Sequence, residues 1–579
     1  MSGKSADKKT VVQTLERIAV LLELSGANPF KSRAFQNGAR ALQSYEGDLG
    51  EGLAAGELKK IKGVGKGILT EVESLLADGT SPALTELQEL VPPGLLEMAK
   101  VPGLGPKRVK TLYDKLGIES LGELEYACNE NRLVQLDGFG AKTQGKILKG
   151  IDAIRRFSGR HLLSDAWATA DRVIEALGAV EGVQKMELAG SLRRRRETIK
   201  DVDVLVAAED PARVHEMLTK LDGVEEIIGS GDTKTSVRLD NGINVDLRTV
   251  TPVQFPFALH YFTGSKEHNT RMRQRAKDRG LKLNEYGLFP ADSDASLDCA
   301  DEDAIFAALD LRPIPPELRE DMGEFAAAEE GDLPALVGED DIRGVLHNHS
   351  TWSDGADSIR DMAEAARALG FQYLGLSDHS QSAFYAHGLK EEAILRQHEE
   401  IDAVNAEFDD IVVLKGIESD ILPDGSLDYD DEILERMDFV VASVHGHFGM
   451  SPEDQTKRCI RAVQNPFTSI LGHPTGRLLL GRDGFELDLR AVIDAAIEVD
   501  CALELNANPH RLDLDWRELR YAVRNGARIS IGPDAHRTDG LRDVRYGVAV
   551  ARKGWVQAEH VLNALPADDL RSWLKERRG

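Results

Sequence analysis

Apolar positions give this 579-residue chain three textures in succession. From about residue 10 to 160 they recur three and four apart, as in Val12, Leu15, Ile18 and Leu22, and glycine pairs interrupt the segments. That spacing is one face of an α-helix, so this region is predicted to be all-helical. Between 161 and 255 the period shortens to two in VDVLVAA, TSVRLD and INVDLRTV, which predicts strands with helical pieces between them. From 341 onward, strand-like runs in RGVLHNHS, YLGLSDHS, IVVLKGIESD, FVVASVHGH, TSILGHP, ALELNAN and RISIGPDAH alternate with helices such as DSIRDMAEAARAL. Strict alternation of this kind predicts a parallel, barrel-like α/β domain.

Composition narrows the setting. A hydrophobic content of 42% gives each of several domains a core. The N-terminus MSGKSADKKT has no apolar core of a signal, and no run of about 18 apolar residues occurs, so neither export nor membrane insertion is expected. Cys128, Cys299, Cys459 and Cys501 are scattered without C-x-x-C, as expected of reduced thiols in a cytoplasm. The net charge of −27 divides unevenly: +2 over 1–290, −14 over 291–340 and −15 over 341–579. The front half is therefore not too acidic to meet nucleic acid. The Ala/Glu/Asp/Pro stretch EFAAAEEGDLPALVGEDD reads as a solvated linker at a domain boundary.

Three sets of residues carry chemistry. In the helical region, IKGVGKGI, VPGLGPKRV and LDGFGAKTQ repeat one pattern: an apolar residue, two glycines around another apolar residue, a lysine, then a helix. Gly63 and Gly65, Gly103 and Gly105, and Gly138 and Gly140 make tight turns whose backbone amides can meet a phosphate at a helix N-terminus. Three copies predict DNA-backbone contacts that position the duplex without reading bases. In the second region, Asp201 and Asp203 of KDVDVLV lie two apart, on one face of a strand, and Asp246 sits in an adjacent strand. Three converging carboxylates need cations, and Mg²⁺ or Mn²⁺ suits an oxygen-only set. Upstream, GSLRRRRE offers a glycine, a hydroxyl and arginines suited to a triphosphate.

The third set spans the last domain. His347, His349, Asp354, His379, Glu418, His445, His473, Asp534 and His536 fall at or just beyond the C-terminal ends of the predicted strands, where such barrels place chemistry. Mixed imidazole and carboxylate donors suit Zn²⁺, Mn²⁺ or Fe²⁺ rather than Ca²⁺, and nine exceed what one ion needs, so two or three ions are expected.

Two resemblances follow from these residues. Gly190-Ser191, D-V-D, V-D-L-R and YFTGSKEHNTRMR together resemble the family X DNA polymerases, the nucleotidyltransferase group that includes DNA polymerase beta, over about 10–320. H-N-H-S-T-W-S-D-G, S-D-H-S, G-I-E and D-A-H resemble the polymerase-and-histidinol-phosphatase (PHP) domain, a metal-dependent phosphoesterase fold, over 341–579. They imply a helical lyase-like DNA-binding domain at 1–80 and a helix-hairpin-helix subdomain at 81–160. A nucleotidyltransferase palm at 161–255, a nucleotide-selection subdomain at 256–320, an acidic linker at 321–340 and a distorted (β/α) barrel at 341–579 would follow.

Carried over by position, Asp201 and Asp203 would hold both polymerase metals, and Asp246 the catalytic one. Gly190, Ser191 and Arg194 would grip the triphosphate; Tyr261, Phe262 and Gly264 would face the sugar; Asn269 and Arg273 would meet the nascent base pair and template. Lys31 matches a position that binds the 5′-phosphate at a gap. Of the nine donors, His347, His349, Glu418 and Asp534 would hold one ion, Glu418 would bridge to a second shared with His445 and His473, and Asp354, His379 and His536 would hold a third. Arg477 and Lys415 are candidates for substrate phosphate, and His387 and His447 lie close by. One position departs: relatives with 5′-deoxyribose phosphate lyase activity carry a Schiff-base lysine where this chain has Glu71, so no strong lyase activity through that residue is expected.

The implied enzyme is a cytoplasmic, monomeric, template-directed polymerase filling short gaps in base-excision repair or end joining from deoxynucleoside triphosphates. Its barrel would degrade or process 3′ ends. The alternatives are a barrel that acts as a phosphatase or structural module, and a DNA-end scaffold without turnover.

Overall fold

The computed structural model describes residues 8–45, 47–134, 136–155 and 159–578. The chain divides into two compact units, Met1–Ile154 and Arg155–Gly579.

The first unit is helical throughout its described residues, as the period of its apolar positions dictates. Helices Lys8–Leu24, Pro29–Gln43 and Lys66–Asp78 bury Leu15, Ile18, Leu42 and Val72 in one core with Leu95, Leu112 and Leu124 from the later helices. Each glycine repeat is built the same way. The central apolar residue (Val64, Leu104 or Phe139) is buried and pins the turn, while both flanking glycines stay exposed. The first glycine of each turn has positive φ (102°, 83° and 85°), and the second precedes the next helix directly.

The described residues of the second unit hold two large sheets and two small two-stranded ones. One large sheet has five strands in the order Val183–Leu188, Asp201–Ala208, Asn244–Val250, Lys234–Leu239, Val224–Ser230. Its two central strands run parallel, with Asp203 directly opposite Asp246. Val202, Val204 and Val206 point into a core with Val173 and Leu177 of helix Leu163–Gly178, which leaves the aspartates on the other face. Residues 255–328 add a small cluster around Phe257, Met272, Leu288, Phe306, Leu318 and Phe325.

The other large sheet has seven parallel strands in chain order, from Gly344–Val345 to Ile529–Gly532. Right-handed helical crossovers are what such a sheet requires. A single parallel bridge between Asn348 and Ala535 joins the first strand's end to the last, so the sheet is nearly a closed barrel. The expected all-helical front region, α/β middle and nearly closed parallel barrel are all present.

The acidic stretch expected as a linker at 321–340 is instead folded. Phe325 and Ala328 of helix Glu324–Glu330 enter the small cluster, Glu324 is buried against His268 at 2.9 Å, and Val337 N donates to Val556 O at 3.0 Å. Composition registered its charge; it did not register that each buried carboxylate has a partner. No helix among the described residues is long and apolar enough to cross a membrane, and all four cysteines are buried thiols.

Two candidate metal centres

The first centre grows from the parallel strand pair. Asp201 and Asp203 share a face because they are two apart, and register sets Asp246 beside Asp203. Asp246 accepts from Ser236 Oγ at 2.6 Å and pairs with Lys234 Nζ at 2.6 Å. Burial and the neighbouring Asp201 and Asp246 carboxylates push Asp203 up to about 7; burial and Asp246 also raise Asp201. Such a group retains a proton because burial and two like charges outweigh the nearby Arg248 and Lys234 cations.

Gly190 has φ of 62°, and a Cβ there would stand 2.1 Å from Asp203 Oδ2. Only glycine lets the loop before Ser191 reach the carboxylates so closely. Arg194, one helical turn further, donates to the Thr263 carbonyl and pairs with Glu320 through Nε at 3.1 Å. Its Nη1 lies 3.0 Å from where a Cβ on Gly264 would stand. The other three arginines of the run have structural partners: Arg193 pairs with Glu302 at 2.6 Å, Arg195 lies 3.8 Å over the Trp167 ring, and Arg196 is 3.7 Å from Glu320.

Tyr261 and Phe262 meet edge to face at 5.2 Å, and Arg248 covers Phe262 at 4.3 Å. Asn269 is buried and donates to the Tyr261 carbonyl at 2.7 Å, which ties its helix Lys266–Asp278 to the aromatic pair. Arg273, one turn on, is exposed. In the first unit Lys31 is exposed on helix Pro29–Gln43. Glu71 is buried, accepting from Ser81 Oγ at 2.5 Å and Ala83 N at 3.3 Å, and so serves the start of the next helix.

All nine donors of the second centre converge at the C-terminal ends of the barrel strands. Potential ligand atoms group within 4.8 Å as His349, Asp354, His379 and His536; as His347, His349 and Asp534; as His347, Glu418 and His473; and as His379, Glu418 and His445. Glu418 is the hub. Its Oε1 lies 3.2 Å from His347 Nε2, 3.2 Å from His445 Nε2 and 3.0 Å from His473 Nε2, and its Oε2 lies 2.9 Å from His379 Nδ1. His349 also approaches Asp354, so it belongs to two groups rather than the one expected.

Burial and the clustered carboxylates pull the imidazoles in opposite directions. Burial alone would lower His347 and His379, yet Glu504, Glu418 and Asp534 hold His347 well above the imidazole range, and Asp354 and Glu418 bring His379 up to about 10. Burial, with His536 and His379 beside it, lowers His349 to about 3; burial, with Arg511 beside it, does the same to His473. His347 Nε2, both ring nitrogens of His349 and His379, and Glu418 Oε2 are buried without hydrogen bonds. Buried nitrogens of this kind are costly unless they ligate, and the donor set fits two or three divalent cations.

Sequence reading missed the groups behind the ligands. Glu504 Oε1 holds His347 Nδ1 at 2.6 Å while its Oε2 accepts from His473 N at 2.6 Å; Asp420 holds His445 Nδ1 at 2.6 Å; Asn506 donates to Asp534 at 3.1 Å. Glu504 and Asp420 fix which ring nitrogen of His347 and His445 faces the centre, and Asn506 orients the Asp534 carboxylate. Asp420 was discoverable, since it lies two residues from Glu418 on one strand and hence on the same face.

Two candidate phosphate contacts are corrected. Arg477 pairs with Asp515 at 2.9 Å and Glu197 at 2.9 Å, and Lys415 pairs with Asp402 at 2.6 Å. Both positive charges are spent on carboxylates. His387 and His447 both adopt positive φ, 56° and 61°, on loops bordering the centre.

Comparison with known proteins adds four matches to described families: a helix-hairpin-helix domain over 6–81, a SAM-like helix-hairpin-helix tandem over 95–153, the DNA polymerase beta thumb over 258–320 and the PHP domain over 346–507. The chain is 42% identical over 570 residues, 98% of its own length and 99% of the relative's, to the DNA polymerase/3′-5′ exonuclease PolX of Bacillus subtilis. It is 27% identical over 244 residues, 40% of its length, to a "probable phosphatase" of Thermoanaerobacter sp., covering 94% of that protein. Over 200 residues, 33% of its length, it is 30% identical to another "probable phosphatase", of Acetivibrio thermocellus, covering 78% of that one.

Proposed function

We infer the function from one premise: this chain belongs to the PolX family of DNA polymerase/3′-5′ exonucleases. It is an enzyme with a DNA polymerase half and a PHP half, and we propose that each activity belongs to one of the two acidic centres. The observation that carries this division is the separation of the donors into an oxygen-only triad on the five-stranded sheet and a nine-membered imidazole and carboxylate set on the barrel.

On the five-stranded sheet, Asp201 and Asp203 would hold two Mg²⁺ or Mn²⁺ ions and Asp246 would share the catalytic one. Gly190 keeps the loop close enough for Ser191 and a backbone amide to meet triphosphate oxygens. Arg194 supplies charge at the Gly264 edge, and Tyr261 and Phe262 present an aromatic wall to the sugar. Asn269 fixes that wall through its bond to the Tyr261 carbonyl. Arg273, exposed on the same helix, reaches for the template strand. In the first unit the three glycine turns and Lys31 would hold the DNA backbone on either side of a short gap.

On the barrel, the nine side chains would hold two or three Zn²⁺, Mn²⁺ or Fe²⁺ ions, which neutralise phosphate charge and activate water when bound. Glu504 and Asp420 hold His347 and His445 in ligating tautomers, and Glu418 lies where two ions would share it. Burial of the donor set keeps bulk water from competing. The physiological task we assign is gap filling and 3′-end trimming in DNA repair, in a bacterial cytoplasm and as a monomer.

Nucleotide incorporation on a gapped primer, and Mn²⁺-dependent shortening of a labelled 3′ end, test the division. Asp201→Ala should abolish the first and spare the second, and His349→Ala the reverse. The likeness to probable phosphatases supplies a second reading, in which the barrel removes a terminal phosphate. Release of inorganic phosphate from a 3′-phosphorylated end without shortening would favour it. Loss of both activities in either variant would contradict separate centres.

A further inference from the structure

We propose that Phe384 and Tyr385 form a stacking subsite for the terminal nucleobase of an unpaired DNA 3′ end, beside the nine-donor centre. The inference rests on the reading of that centre as one that cleaves DNA.

Phe384 is 79% exposed, the highest value among the large apolar side chains given for the described residues. It sits in a single 3₁₀ turn, Phe384–Ala386, five residues beyond the candidate ligand His379. A frayed loop would explain an exposed ring, but this loop is held at many points. Gln381 N donates to the Tyr429 hydroxyl at 3.1 Å, Ser382 N donates to Asp428 at 2.6 Å, and Leu389 N donates to the His379 carbonyl at 2.8 Å. Ala383 and Ala386, on either side of the two aromatic residues, are fully buried. At Gly388 a Cβ would stand 1.8 Å from the Ser380 carbonyl, so the chain closes back on itself with no room to spare. The fold therefore fixes the backbone around Phe384 and still leaves its ring in solvent, where an apolar surface is unfavourable.

The rings form a path to the centre. Phe384 meets Tyr385 edge to face at 5.9 Å, and Tyr385 lies 6.4 Å from the His379 ring. A nucleobase is the occupant this geometry fits. Beyond Phe384, the large apolar side chains exposed in the barrel domain are Leu395 and Leu480, so the apolar surface is that of one ring, far below what a protein interface buries. A phosphate would need cations, whereas a flat base of any sequence stacks on an aromatic face. The same row of rings leads from that base toward His379, so a terminal nucleotide stacked there would lie on the side of the centre.

The test uses the full-length enzyme and single-stranded oligonucleotides whose 3′-terminal residue is either an ordinary nucleotide or an abasic one, with Mn²⁺. Phe384→Ala should raise KM for the ordinary end on the order of tenfold, the scale of base–aromatic stacking, with kcat little changed. Phe384→Trp should restore it, and on the abasic end wild type and Phe384→Ala should match. Separately, with EDTA in place of metal, 2-aminopurine at the 3′ terminus should be quenched by wild type and less so by Phe384→Ala. Equal losses on both ends, or quenching indifferent to the substitution, would overturn the subsite. Failure of wild type to shorten either oligonucleotide would instead overturn the reading of the centre, and the quenching arm still decides the subsite.

Discussion

Glu418 and Asp203 show at the level of single residues why each centre calls for cations. Glu418 faces four imidazoles within 3.2 Å. Glu418→Gln keeps the volume and removes the charge, so it should lower the metal content of the purified protein by at least one ion and abolish 3′-end shortening, with gap filling retained. Metal analysis beside the two assays checks this; unchanged metal content would contradict the hub. Asp203, in the state without cations, is raised to about 7 from an ordinary 3.8. Between those values the folded state holds a proton that the unfolded state has lost, so the stability this group contributes is present below about 3.8 and lost as pH rises through 7. Mg²⁺ should therefore raise the melting temperature more at pH 8 than at pH 5.5, and Asp203→Asn should erase the difference. The nine candidate donors were legible because they fall at or just beyond the ends of six of the seven strands. Glu504 and Asn506 were not, since they lie on the one strand whose run carries no candidate ligand.

Among the elements, the glycine turns and the strand carrying D-V-D were readable because local chemistry specifies them: two glycines around a buried apolar residue, and a period of two. Helix Glu324–Glu330 was not, because its Ala/Glu composition resembles a solvated spacer and only its long-range partners distinguish it. Glu71 belongs to this scale as well. It is buried in helix Lys66–Asp78 and receives Ser81 at the head of the following helix Pro82–Leu90. Glu71→Lys supplies the amine that lyase relatives use, but it also strips Ser81 and Ala83 of their acceptor. We expect a loss of about 2–3 kcal/mol in unfolding free energy of the first unit by denaturant titration. No borohydride-trapped adduct with 5′-deoxyribose phosphate DNA should form; a strong adduct would show that a lysine here reaches the DNA.

At the scale of the molecule, the five-stranded sheet and the barrel belong to one unit and share a buried charge network. Lys553 of the barrel helix Val544–Lys553 is fully buried; its Nζ reaches the Arg194 carbonyl at 3.1 Å, the Glu317 carbonyl at 3.2 Å and Glu320 Oε1 at 2.6 Å. Glu320 in turn pairs with Arg194, the arginine assigned to the triphosphate. The barrel thus supplies a counter-charge that keeps Glu320 from holding Arg194 alone. Lys553→Met should raise KM for deoxynucleoside triphosphates on the order of fivefold while 3′-end shortening persists, and adding Glu320→Gln should reverse the rise. An unchanged KM, or no recovery in the double variant, would separate the two halves functionally. No pattern in the sequence indicated this contact, which joins residues more than 230 positions apart.

The central claim is that two separate sets of side chains gather divalent cations. Anomalous scattering from Mn²⁺-soaked crystals of the whole chain tests it most directly. We expect two or three peaks enclosed by His347, His349, Asp354, His379, Glu418, His445, His473, Asp534 and His536, and at least one between Asp203 and Asp246. A barrel mouth without any peak, or manganese bound at other side chains, would contradict the account.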